Sequence, residues 1–139
     1  MNTLSNHLDL PLLETLYPTL ECIVLGNGEH STIQFQVTAL IDTGFDDFFS
    51  IPKSLAQELN IEFELEQTEI QLGNGDQVTV DVGVCEVKFP FAKESFILKA
   101  IIDEDDECLI GIGLLVQLCN SFEIDFENML IKLKGLKIS

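Results

Sequence analysis

The chain has 139 residues, 46% of them apolar, ten of them phenylalanine, and its 24 acids outnumber seven lysines to give a net charge of −17. That length gives one domain with a real core, and that composition excludes a disordered chain. With no arginine and so few cations, phosphate backbones are poor partners, so no nucleic acid is expected.

No stretch approaches the roughly 20 apolar residues of a membrane span, which predicts no membrane association. Met1-Asn2-Thr3-Leu4-Ser5-Asn6-His7 lacks the basic and apolar regions of a secretory signal, so a cytoplasmic protein is expected. Cys22, Cys85, Cys108 and Cys119 are widely spaced, without a Cys-x-x-Cys pair or a histidine at ligand spacing. They read as reduced, mostly buried thiols, and no metal site is expected.

Residues 1–18 read as an N-terminal extension, in which Pro11 could open a helical turn or two over Leu12–Leu16. From Leu20 the pattern is β. Leu20–Leu25 predicts a strand, Gly26-Asn27-Gly28 a hairpin turn, and Ser31–Ile41 the return, with Thr32–Val37 alternating at period two. Pro52–Leu59 predicts a short helix, with proline at its start and Asn60 beyond its end.

Glu62–Leu72 and Gln77–Phe89 predict a second hairpin around Gly73-Asn74-Gly75. Val78, Val80, Val82 and Val84 share one face, and the pattern then moves to Val87 and Phe89, which predicts a bulge near Gly83–Cys85. Ser95–Ile102 reads as a strand, Leu109–Ile110 as a buried strand, Leu114–Cys119 as a short helix, and Phe122–Phe126 with Met129–Leu133 as a closing hairpin. The acidic run Asp103–Glu107 lacks the glycine and spacing of an EF-hand loop and reads as a solvated loop. The near-identical pentads Leu25–Glu29 and Leu72–Asp76 fit either an internal two-fold relationship or two independent hairpins on a favoured turn.

The chemistry centres on Leu40-Ile41-Asp42-Thr43-Gly44, an apolar strand end running into an acid, a hydroxyl and a glycine. The strand fixes the carboxylate, Thr43 offers a local hydrogen bond, and Gly44 permits a tight turn. As three residues this is also an ordinary Asx-type turn. Downstream, Leu109–Leu115 repeats the theme of apolar strand, glycine and helix start.

In this order the features resemble the retropepsin-like (clan AA) aspartic proteases, in particular the single-domain bacterial and archaeal type, over about residues 19–134. The resemblance rests on Leu40–Phe45, Ile51-Pro52, the hairpin at Leu72–Asp76, Leu109-Ile110-Gly111 before a helix, and Phe122–Leu130. It implies a mostly β fold over residues 19–139: a closed β-barrel with a flap hairpin and one or two short helices. It also implies that Asp42, Thr43 and Gly44 form the catalytic turn, with Thr43 bracing the two catalytic loops across subunits. Gly73, Asn74 and Gly75 would be the flap, and Phe45 and Ile110 would complete the substrate-binding surface.

Two carboxylates about 3 Å apart cannot both ionise, so one serves as base towards water while the other donates a proton; no cofactor is required. Asp-Thr-Gly occurs once in the chain. The pair therefore requires a homodimer with one Asp42 from each copy, acting on a peptide or protein substrate. The alternative is a non-catalytic peptide-binding or dimerisation module on the same fold.

Overall fold

Alternation of apolar and polar residues along Thr19–Gly26 (β2) turns Leu20, Cys22 and Val24 into the core, and Gln34–Ile41 (β3) does the same with Ala39 and Ile41. In the computed structural model, which describes residues 7–12, 17–26, 33–64, 67–71, 75–104 and 106–137, these strands pair antiparallel from Thr19↔Leu40 to Leu25↔Gln34. The loop at 27–32 lies outside the described residues, and so does most of the expected first turn. Phe49–Pro52 (β4) is buried at every position because it runs inside the sheet. It pairs parallel with Phe96–Asp103 (β7) and antiparallel with the two-residue strand Leu109–Ile110 (β8).

The helix after Pro52 forms as expected, over Lys53–Glu58 (α1). Asn60 lies in the left-handed region at φ 57°, and the amides of Asn60 and Ile61 donate to the carbonyls of Gln57 and Ala56. That pattern closes the helix and carries Ile61 into the core.

Thr68–Gln71 (β5) pairs with the start of Gln77–Lys88 (β6), from Thr68↔Val80 to Gln71↔Gln77. The expected strand from Glu62 is shorter than its pattern suggests. Phe63 makes only an isolated bridge to Gly83, and the Glu64 amide donates to the Val82 carbonyl at 2.7 Å. The expected bulge near Gly83–Cys85 is not there: β6 and β7 keep one register from Asp81↔Ile102 to Val87↔Phe96. The change in pattern has another cause. On the edge away from β7, β6 pairs first with β5 and then with β2, from Gly26↔Cys85 to Ile23↔Lys88. The two halves of the strand therefore bury opposite faces. Gly83 sits at the crossover, where a β-carbon would stand 2.6 Å from Ile61 Cγ2.

The β2–β6 pairing closes a ring in the order β2-β3-β8-β4-β7-β6, and among the described residues β5 pairs with β6 alone. This is the expected mostly β closed fold. Beyond β8, Ile112–Leu118 (α2) begins two residues earlier than its apolar pattern indicated and packs Leu114, Leu115 and Leu118 inward. A separate three-stranded sheet follows in the order β1-β10-β9, formed by His7–Pro11 (β1), Leu130–Leu136 (β10) and Cys119–Asp125 (β9). The helical turn expected at 12–16 falls largely on residues 13–16, outside the described residues. All four cysteines are free and buried. Among the described residues, no helix is long and apolar enough to cross a membrane.

Candidate active site

The turn after β3 is held from three sides. Ile41 pairs in parallel register with Ile110, the Ile41 amide donates to the Pro18 carbonyl at 2.8 Å, and the Asp42 amide donates to the Ile110 carbonyl at 2.9 Å. The amides of Leu40, Ile41 and Asp42, the last at the strand end, are thus all hydrogen-bonded. Its carboxylate Oδ1 accepts the Gly44 amide at 3.0 Å, and its carbonyl accepts the Phe45 amide at 3.1 Å. Residues 42–45 therefore form a tight turn with Thr43 and Gly44 exposed at its tip. A β-carbon at Gly44 would lie 3.3 Å from Asp42 Oδ1, so glycine leaves room for the carboxylate's bond to the backbone.

The following loop lies across the start of α2. The carbonyls of Phe45, Asp47 and Phe48 accept the amides of Ile112, Gly113 and Gly111 at 2.8, 3.2 and 3.0 Å. These are the amides that a helix N-terminus leaves without partners inside the helix. Gly111 is required here: a β-carbon would stand 2.0 Å from the Asp47 carbonyl oxygen and 2.8 Å from Phe45 Cδ2. At Gly113 the nearest approach is 3.1 Å, to the Asp46 carbonyl.

Facing this loop, Glu69, Ile70 and Gln71 of β5 enclose a cavity of about 330 Å³ together with Gly44, Phe45, Asp46 and Asp47. Asp47 Oδ1 accepts the Phe48 amide at 2.9 Å. A second, mainly apolar cavity of about 340 Å³ lies between β1, β2 and Pro90-Phe91, and does not include the Asp42 turn. Among the described residues, no group of three or more His, Cys, Asp or Glu side chains is arranged to hold a metal ion.

Of the residues expected at the site, Asp42, Thr43 and Gly44 share one turn, and Gly44 and Phe45 line the cavity beside it. Gly75 has φ +92° with open space around it, which suits a turn at the end of the β5–β6 hairpin. Gly73 and Asn74 lie outside the described residues. Ile110 is placed differently from the expectation. Its side chain is fully buried in the core, because both edges of β8 are paired and α2 follows directly. What Ile110 supplies to the turn is its carbonyl oxygen. Asp46 and Asp47, whose closeness to Asp42 in the chain already puts two further carboxylates near the site, line the cavity, whereas Glu69, Ile70 and Gln71 were not expected there and carry no local signal.

No protein-family model and no curated protein matches the chain. Its fold does match solved structures. A retropepsin-like aspartic protease from Rickettsia conorii superposes with a TM-score of 0.61 at 19% identity, covering 91% of this chain and 89% of that one. The EIAV protease, complexed with the inhibitor HBY-793, gives 0.52 at 16% identity over 73% of this chain and 88% of its own. The simian foamy virus (mac) protease gives 0.50 at 14% identity over 75% and 98%. By this similarity of fold, the chain has a retropepsin-like fold.

Proposed function

We propose that the chain is an aspartic endopeptidase whose catalytic pair consists of Asp42 from two copies in a cytoplasmic homodimer. The observation that carries this reading is the turn itself. A half-buried carboxylate stands at the end of a strand whose last residues are held on both edges, oriented by the Gly44 amide and beside a cavity roofed by β5. A peptide laid between β5 and the turn would bring its scissile carbonyl to the pair. One carboxylate would remove a proton from water as it attacks, and the other would protonate the departing amine. Thr43, exposed at the tip, is suited to contact the partner's turn.

The resemblance of the fold to three proteases adds support. The test pairs sedimentation with digestion of a peptide library by the wild type and by Asp42→Asn. The near-isosteric amide should preserve fold and dimer but lower cleavage on the order of 10³-fold or more, because it cannot act as the base. Cleavage by Asp42→Asn at the wild-type rate, or at full rate by a monomer, would falsify the reading, whereas a wild-type dimer that cleaves no peptide would favour the non-catalytic module.

A further inference from the structure

The cavity beside the Asp42 turn has acids on both of its walls. Asp46 and Asp47 stand on the turn side and Glu69 on the β5 side, while no Lys, Arg or His lines it among the described residues. Among the described residues, the lysines that make ion pairs do so elsewhere: Lys53 with Glu104, Lys99 with Glu64, Lys132 with Asp125 and Lys134 with Glu123. Asp47 is held in place from two directions, since its carboxylate accepts the Phe48 amide and its carbonyl accepts the Gly113 amide. Between the acids, Phe45 and Ile70 give the same cavity apolar wall.

An apolar wall bordered by carboxylates suits one kind of side chain, a long methylene stem ending in a cation. An acidic side chain would meet three carboxylates, with no cation to offset them. Resting on the peptidase reading of this cleft, we propose that it selects peptides carrying Lys or Arg beside the scissile bond and rejects those carrying Asp or Glu there. Asp46, Asp47 and Glu69 set the preference by attraction and Phe45 with Ile70 by packing. The chain's large negative charge acts in the same direction during approach.

The test uses matched peptides that differ only at one residue flanking the cleavage site: Lys, the neutral norleucine, or Glu. Binding of reduced-amide analogues of the same three peptides, which cannot be hydrolysed, is measured in parallel by fluorescence anisotropy. At low salt the Lys peptide should exceed norleucine roughly tenfold in kcat/KM and in affinity, with Glu the weakest. The ratio should shrink severalfold at about 0.5 M salt, where exposed charges are screened beyond roughly 4 Å.

The combined variant Asp46→Asn, Asp47→Asn, Glu69→Gln should lose the ranking. Glu69→Gln alone, on an exposed strand position, should lower the ratio roughly threefold if the combined variant fails to fold. Equal cleavage of all three peptides overturns the proposal and leaves the peptidase reading intact. Ranked binding without any cleavage upholds the charge selection and removes the peptidase reading. Absence of both binding and cleavage overturns both.

Discussion

Gly111 lies so close to Asp47 that a single methyl group at its α-carbon would come within 2.0 Å of the Asp47 carbonyl oxygen. The approach fixes the loop at 45–48 against the start of α2, and through it the turn that carries Asp42. Gly111→Ala should therefore destabilise the protein by about 1–3 kcal/mol through overpacking, measured as a shift in urea midpoint. Loss of peptide cleavage should exceed what the unfolded fraction explains, because the displaced loop is the wall of the cleft. Gly113→Ala, whose nearest contact is 3.1 Å, should cost less on both measures.

Replacing Gly75 tests the hairpin that ends β5. Its φ of +92° is one that side chains rarely adopt, although open space surrounds it. Gly75→Ala should therefore cost about 1 kcal/mol through backbone strain alone. Because that strain falls on the element expected to close over a peptide, turnover should fall more than global stability does. Unchanged kinetics beside a lowered urea midpoint would show that the hairpin does not gate the site.

Alkaline stability should report the buried thiols. Burial pushes Cys22, Cys85 and Cys108 each from an ordinary value of 9.0 up to about 12, with neighbouring thiols adding to the effect at Cys22 and Cys85. The folded chain thus holds these protons where the unfolded chain releases them. The contribution is complete below about pH 9 and is lost as pH climbs towards 12, so the urea midpoint should decline across that window. Cys85→Ala should flatten the decline, whatever it does to stability at pH 7. A slope identical to wild type would contradict the assignment.

Association should also depend on pH and salt. Two copies bring a formal charge of −34 (2 × −17) to one assembly at neutral pH. Contact between like-charged chains favours proton uptake, so a dimer should tighten as pH falls from about 7 towards 5, and added salt should reproduce part of that gain. Sedimentation at fixed protein concentration checks both. A dimer that weakens on acidification would contradict the sign.

What the sequence made legible was local. The Asp42 turn and the α1 boundaries at Pro52 and Asn60 are written in neighbouring residues, so pattern and turn chemistry suffice to read them. Features that depend on distant partners were harder to read. The pattern change in β6 suggested an inserted residue, and the cause is a change of neighbour from β5 to β2. Leu109-Ile110 reads as a buried strand, but two residues carry no period, so the pattern does not say which of the two side chains is fully enclosed. His7–Pro11 pairs with residues 130–134 at the opposite end of the chain, a match that no window of sequence contains. The early start of α2 at Ile112 comes from the loop carbonyls that satisfy its first amides, against the low helix propensity of Gly113.

The division of one edge of β6 between two partners has a consequence for how the molecule breathes. Four residue pairs, Thr68↔Val80 to Gln71↔Gln77, attach β5, while a separate set, Ile23↔Lys88 to Gly26↔Cys85, seals the ring. Detaching the first set, with the Gln67 to Asp81 side-chain bond beside it, leaves the second paired, so an opening of β5 need not open the ring. Amide hydrogens in that ladder should exchange with solvent through a local opening whose free energy lies well below that of global unfolding, whereas those of the sealing pairs should exchange only when the whole ring comes apart. Such an outcome would make β5 a cover that moves independently of the ring, the two being held by separate stretches of a single strand.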